Sequence, residues 1–234
     1  MLDSPDESNI IIAQTNNSVC NYNSMVRKAL YGSCDSIMDK EHLLVIENNY
    51  SHPVHIMNGD FLKIEEIYSQ ESKEVKLRGR GAVKLNFRDV RVSVMDRSNK
   101  NKFAFNCKIL ENLLDSSTNM LTRDEKSALL VDLIQRHKEV KINSPDFKEI
   151  IKTDKYFNCL KVKYGYAITC HKSQGGEWDN VFVDLHSTKP YTSPDYRRWA
   201  YTAITRAKKS LYLMNNELLD VKRNTMKILI RMAV

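Results

Sequence analysis

The sequence predicts an α/β protein: a parallel sheet with helices on both faces, interrupted by a small antiparallel β-barrel that carries a helix. Three observations predict it. Strand-like apolar runs alternate with helical periodicity toward both ends, as in "NIIIAQ" before "TNNSVCNYNSMVRKALYG" and "VFVDL" before "SPDYRRWAYTAITRAKK", and such alternation builds parallel sheets. The middle alternates apolar with polar at period two in "EVKLRG" and "AVKLNFRDVRVSV", as half-buried antiparallel strands do. An amphipathic stretch, "TRDEKSALLVDLIQRHKEV", then follows these strands. The expected organisation is a discontinuous α/β domain over residues 1–60 and 158–234, with a β-rich insertion over residues 61–157.

In the first segment "NIIIAQ" is a strand. Val19, Tyr22, Val26, Ala29 and Leu30 then fall on one helical face, with N-cap oxygens from Asn16, Asn17 and Ser18 and a stop at Gly32. "LLVIENN" is a second strand, and Pro53 and the Asn58-Gly59 pair mark the loop after it. From Phe61 the period-two pattern begins. Val83, Leu85 and Phe87 share one parity and Val90, Val92 and Val94 the other, so a bulge or turn is expected at Arg88-Asp89. "NKFAFNCKI" adds a short strand after the polar turn "DRSNKN". Short strands separated by turns suit a small barrel. Thr122 and Glu125 form a capping-box pattern ahead of a helix of about four turns. The last segment reads "KVKYGYAIT" and "VFVDL" as strands, a helix with Pro194 near its start, and "SLYLMN" as the final strand.

The 234 residues carry a net charge of +7, and 42% of them are hydrophobic. Chain length and apolar content suffice for a real core, and the positive balance favours an acidic partner such as nucleic acid. The five cysteines, Cys20, Cys34, Cys107, Cys159 and Cys170, are odd in number and include no Cys-x-x-Cys pair, which points to a reducing compartment and no structural zinc. No apolar run approaches the ~20 residues that span a bilayer. The acidic opening "MLDSPDESN" lacks the apolar core of a signal peptide, so the expected location is the cytoplasm.

The chemistry gathers between two strands, at Thr169–Gly176, expected at the carboxyl end of a parallel strand, where ligands collect. Lys172 supplies a point charge, Thr169 and Ser173 supply hydroxyls, and a helix beginning there would offer free N–H groups to a phosphate. The Gly175-Gly176 pair permits close backbone approach. The competing reading is that Thr169 and Ser173 only cap a helix. Elsewhere, His52-x-x-His55 is interrupted by Pro53 and lacks a partner ligand, so a solvated turn is expected in place of a metal site. Trp178 is either a stacking platform or a core anchor, and Arg197, Arg198, Lys208 and Lys209 either bind phosphate or form a wet charged face. "VFVDLH" imitates an ATPase acidic strand, yet Leu185 follows its Asp184 where a second carboxylate would stand.

These residues carry a resemblance. "YAITCHKSQGGEWDNVFVDL" resembles motif V of superfamily 1 helicases in the RecD-like and Dda-like branch, and "YTAITRAKKSLYL" resembles motif VI. "IIIAQTNNSVCNYNSMVRKALYG" is similar to the region of motif IV, and "NNYSHPVHIMNGD" to the turn that opens the branch's inserted barrel. The resemblance implies a second RecA-like motor domain, 2A, carrying a barrel insertion, 2B, and a 5′ to 3′ polarity for the complete motor. It implies that Thr169, His171, Lys172 and Ser173 touch single-stranded DNA, with Asn16 and Asn23 as further contacts. It places Gly175, Gly176 and Glu177 against ATP with Mg2+, Glu177 at the ribose, and makes Arg206 the arginine finger that stabilises charge on the transferring phosphoryl group.

One expected element is missing from this sequence. A P-loop needs Gly-x-x-x-x-Gly-Lys-[Ser/Thr], and none of the seven glycines precedes a lysine. The chain alone is therefore expected not to hydrolyse ATP and to need a Walker A-bearing domain, from the same parent chain or from a partner. Two readings stand: the C-terminal half of an ATP-dependent DNA helicase or exonuclease-associated helicase subunit, and a non-enzymatic nucleic-acid-binding or interaction module derived from one.

Overall fold

The computed structural model describes residues 8–32, 36–95, 101–187 and 190–215. Cys34 and residues 96–100 of the expected polar turn lie outside them. In chain order the elements are β1 (Asn9–Ala13), α1 (Asn16–Tyr31), β2 (His42–Val45), β3 (Phe61–Leu77), β4 (Gly81–Met95), β5 (Lys102–Leu110), α2 (Arg123–Arg136), α3 (Pro145–Thr153), β6 (Leu160–Tyr164), β7 (Ala167–Thr169), β8 (Trp178–Asp184), α4 (Pro194–Ile204) and β9 (Ala207–Met214). They form two compact units, residues 1–38 with 164–234 and residues 39–163. No helix among the described residues is long and apolar enough to cross a membrane.

The first unit holds a parallel sheet of order β7-β1-β8-β9, flanked by helices. Ile10, Ile11 and Ile12 of β1 are at most 1% exposed; such an uninterrupted apolar run is what a strand covered on both faces requires. Helix α1 is capped by Thr15, whose hydroxyl accepts the Ser18 N–H at 3.0 Å, one residue ahead of the expected caps. It ends at Gly32 in the left-handed conformation (φ 75°), which only glycine adopts at no steric cost. Arg27 on this helix is fully buried, with its guanidinium 3.7 Å from the Tyr164 ring centroid.

The second unit is a closed barrel of order β2-β3-β4-β5-β6, antiparallel from β2 through β5 and parallel where β5 meets β6. Two strands differ in placement from the sequence reading. "LLVIENN" contributes β2 to the barrel, and "KVKYGYAIT" splits into β6 of the barrel and β7 of the parallel sheet. Gly165 stands between those two strands. The hydrophobicity of a short apolar run does not say which sheet it joins.

The parity change at Arg88-Asp89 is present, but the extra residue sits on the opposite strand. Ile67 pairs with Val90 and Gln70 with Arg88, so Tyr68 and Ser69 together face Asp89. Beyond this bulge Val75, Leu77, Leu85 and Phe87 pack with Leu113, Ala128 and Leu129 of the α2 region. Helix α2 carries the expected capping box between Thr122 and Glu125. Helix α3 went unread in the sequence, although Ser144 caps it and Pro145 opens it.

A charged network ties α2 and the chain after α3 to the barrel. Arg136 donates from Nε to Asp132 at 2.8 Å and grips Asp154 with both terminal nitrogens, Nη2 to Oδ1 at 2.9 Å. Tyr156 donates its hydroxyl to Glu71 at 2.8 Å. Its ring lies under Lys73 Nζ at 3.4 Å, with the Arg136 guanidinium at 4.7 Å from its centroid. Asp154 also accepts the N–H groups of Tyr156 and Phe157 at 3.0 and 2.8 Å. Burial alone would push the Asp154 carboxyl up; the Arg136 and backbone hydrogen bonds outweigh it and hold the group below the usual carboxylate range.

Candidate nucleic-acid and nucleotide interface

The segment from Thr169 to Trp178 runs from the carboxyl-terminal edge of the parallel sheet, where its strands end, to the amino-terminal edge, where β8 begins. Thr169 pairs with Ala13, and Ile12 pairs with Val183, so Thr169 ends β7 at the level where Asp184 ends β8. Trp178 begins β8, six residues before Asp184, which at ~3.3 Å per residue is about 20 Å away along the strand. The expected site at the strand carboxyl ends therefore holds only for its first part.

No helix follows Thr169. Successive turns do, closed by the N–H groups of Lys172 and Ser173 on the Thr169 carbonyl at 2.9 and 3.1 Å and by Gly176 N–H on the Ser173 carbonyl at 3.1 Å. The expected helix with free N–H groups is therefore replaced by turns in which the amides of Lys172, Ser173 and Gly176 are occupied internally. His171 is exposed, while Thr169 and Lys172 are half-buried. Burial lowers the Lys172 pKa, and an anion at the ammonium would offset that desolvation. Ser173 is fully buried and donates its hydroxyl to the Cys170 carbonyl at 2.8 Å. It braces the turn and presents nothing to solvent.

Asn23 has a comparable internal task. It is 4% exposed, its Oδ1 accepts the N–H groups of Tyr166 and Ala167 at 3.0 and 2.9 Å, and its Nδ2 donates to the Ala167 carbonyl at 3.2 Å. The side chain therefore braces the edge of β7. Asn16 is half-buried in the first turn of α1.

At the opposite edge the two motif-like segments meet. Trp178 N–H donates to the Arg206 carbonyl at 3.0 Å, and Arg206 Nη1 reaches the Gly176 carbonyl at 3.4 Å. Arg206 also donates from Nε to the Thr202 carbonyl and from Nη2 to the Thr205 hydroxyl, both at 3.0 Å. The sequence reading missed these two threonines; their signal is the spacing Thr-x-x-Thr-Arg, which puts a carbonyl and a hydroxyl of the last helical turn within reach of the guanidinium. Glu177 is exposed, 3.9 Å from Lys208 Nζ. Lys209 pairs with Asp179 at 2.7 Å and Arg198 lies 3.9 Å from Asp195, so this basic face is partly neutralised.

Gly175 is exposed with φ 83°. Gly176 is constrained by proximity: a Cβ there would lie 2.4 Å from Cη2 of Trp178. Trp178 is thus a packing partner of Gly176, while Gly175 has open space around it. Gly176→Ala is expected to displace the indole and cost about 1–3 kcal/mol. Denaturant titration followed by tryptophan fluorescence measures it, and adding Trp178→Leu should recover much of the loss.

One other sequence feature resolves. Asp184 is buried at the end of β8 and accepts from Asn215 at 2.8 Å and His186 N–H at 3.1 Å, a structural post for the strand ends. No group of three or more metal-ligating side chains occurs among the described residues.

Residues 164–214, which span both edges just described, match the model of the UvrD-like helicase C-terminal domain. That segment is helicase-derived. The match supports the superfamily 1 resemblance carried by its two motifs. The chain is also 40% identical over 66 residues to the uncharacterized protein MJ1519 of Methanocaldococcus jannaschii, covering 28% of this chain and 5% of that protein. Among solved structures it is similar to the Pif1 helicase from Candida albicans, with 12% identity, TM-score 0.46, 92% of this chain and 47% of that one covered. It is similar also to Bacteroides Pif1 bound to single-stranded DNA, with 12% identity, TM-score 0.40 and coverage of 91% and 42%. The chain spans less than half of each of these relatives.

Proposed function

We propose that this chain is the C-terminal half of an ATP-dependent DNA helicase or exonuclease-associated helicase subunit, with strand contacts and nucleotide contacts at opposite edges of one helicase-derived segment. The observation that carries this reading is the junction of Gly176, Trp178 and Arg206 at the edge away from Thr169 and Lys172. Thr169, His171 and Lys172 would contact the phosphates or sugars of single-stranded DNA. Gly175, Gly176 and Glu177 would face ATP with Mg2+ held by a Walker A-bearing first domain, in the same parent chain or in a partner. Arg206 suits the finger role because its side chain is already extended to that edge and its contact with the Gly176 carbonyl, at 3.4 Å, is the longest of its three and the easiest to exchange for a phosphate oxygen. ATP supplies the phosphoryl transfer; this chain's part is to place one guanidinium where charge develops, worth ~10³–10⁵ in rate in related systems.

The test is fluorescence anisotropy of a labelled single-stranded oligonucleotide at several salt concentrations. Lys172→Ala is expected to weaken binding and to lower the log–log salt slope by about 0.7, the value for one phosphate contact on a single strand. Unchanged affinity and slope would remove Lys172 from the strand path. A non-enzymatic nucleic-acid-binding or interaction module is the second reading, favoured by seven glycines of which none precedes a lysine. The readings separate when a Walker A-bearing domain is supplied, because only the first gives ATP turnover that Arg206→Ala abolishes.

A further inference from the structure

The loop between β2 and β3 in the barrel unit is closed at its neck, where Asn49 and Ile56 exchange both backbone hydrogen bonds, at 2.8 and 3.0 Å. Asn48 ties the two arms together: its Nδ2 donates to the Tyr50 hydroxyl at 3.1 Å, and its Oδ1 accepts the Asn58 N–H at 2.7 Å. Tyr50 and His55 meet edge to face just inside the neck, ring centroids 5.5 Å apart and planes at 86°. A cleft of about 440 Å3 opens beside them, lined also by Met57, Asp60, Met95 and Phe103, a volume in the range that small ligands and anchoring side chains fill. Tyr50 is 61%, Phe103 42% and Met95 41% exposed, so three large side chains of one cleft keep apolar surface in water.

The charge of the cleft is as particular as its surface. The chain carries a net charge of +7, yet no lysine or arginine lines this cleft among the described residues. Its carboxylate is Asp60, half-buried, whose Oδ2 accepts the Met57 N–H at 2.7 Å and whose Oδ1 has no partner among the described residues. Aromatic faces attract a cation through their quadrupole, and a carboxylate oxygen short of a partner does so more strongly; a phosphate would be repelled by Asp60 and would find no cation. A guanidinium suits every wall, because it is planar and weakly hydrated, stacks on rings and donates N–H bonds to a carboxylate in its own plane. We propose that this cleft captures an arginine side chain of a partner protein, the guanidinium against Tyr50 and Phe103 and hydrogen-bonded to Asp60 Oδ1, with a neighbouring aliphatic side chain on Met57 and Met95. Arginine is favoured over lysine because the compact ammonium is the more strongly hydrated of the two and loses more on leaving water. The site lies within the barrel unit and uses none of the residues proposed for strand or nucleotide contact.

The test follows the Tyr50 and Phe103 ring resonances of the full chain by NMR in three separate titrations: a capped pentapeptide with arginine between two leucines, the same peptide with citrulline in place of arginine, and a short oligothymidylate. The arginine peptide is expected to move both rings saturably, and the citrulline peptide, of the same shape but neutral, to bind at least about tenfold more weakly. Asp60→Asn should weaken the arginine peptide by at least about fivefold; the asparagine carbonyl can still accept the Met57 N–H, so the loop end is kept. Tyr50→Ala, at an exposed position, should weaken it comparably when read on Phe103. Lys172→Ala should leave it in place, so failure of the strand reading and failure of this one are distinguishable. Equal binding of the arginine and citrulline peptides would show that the cleft does not recognise charge and would overturn the proposal. Rings unmoved by the arginine peptide would overturn it as well, and rings moved saturably by the oligothymidylate would make the cleft a nucleic-acid surface instead.

Discussion

Arg136→Ala is expected to lower the stability of the barrel unit by about 3 kcal/mol, the range for removing one partner from a buried charge pair. The cost comes from what remains. Asp154 and Asp132 have side chains only 7% and 11% exposed, and Arg136 is the cation that both share. Asp154 would keep its two backbone N–H donors but lose its charge partner, so it should be the group that protonates. Its folded pKa lies below the ordinary carboxylate value. Its contribution is therefore complete above the unfolded pKa and is lost as pH falls through the folded one. Urea titrations from neutrality down through the acid range should show the native chain losing stability below pH ~4, with a flatter acid limb in the variant. Equal midpoints at neutral pH would show that the network contributes geometry and no net stability.

Asn23→Leu is expected to have a similarly large effect on the parallel-sheet unit. The substitution keeps volume but leaves the N–H groups of Tyr166 and Ala167 and the Ala167 carbonyl without the partner they have now. Each buried group so abandoned costs about 1–3 kcal/mol, so a loss of at least about 3 kcal/mol is expected, with faster amide exchange at Tyr166 and Ala167. Asn23→Asp should recover part of it by retaining the acceptor. If Asn23→Leu instead left stability intact and selectively weakened oligonucleotide binding, the residue would belong to the strand contact and not to the fold.

Much of this was legible in the sequence because the physics is local. The Thr122–Glu125 capping box, the Gly32 stop and the parity change at Arg88-Asp89 each follow from neighbouring residues alone, and each is present in the structure. What was not legible depends on partners far along the chain. "LLVIENN" is a strand by composition, but only its pairing with β3 assigns it to the barrel. Which strand holds the bulge is decided by register, and Ile67 with Gln70 sets it. Within the candidate site, residue type suggested phosphate chemistry for Ser173, and the helicase resemblance implied a strand contact for Asn23. A hydroxyl or an amide reads the same whether it faces solvent or closes a turn, and burial separates the two. Arg206 was singled out, but its anchorage on Thr202, Thr205 and Gly176 required the return of α4 toward β8 to be seen.

The Asn23 clamp also decides how the parallel sheet can grow. Strand β7 is a margin of the sheet, and its outward Ala167 groups are occupied by a side chain, while the Thr169 carbonyl is occupied by the turn that follows. An incoming strand finds no ladder to join there, which is how native sheets avoid templating other chains. One asparagine amide, with the turn after Thr169, thereby closes the β7 side of the sheet to a further strand.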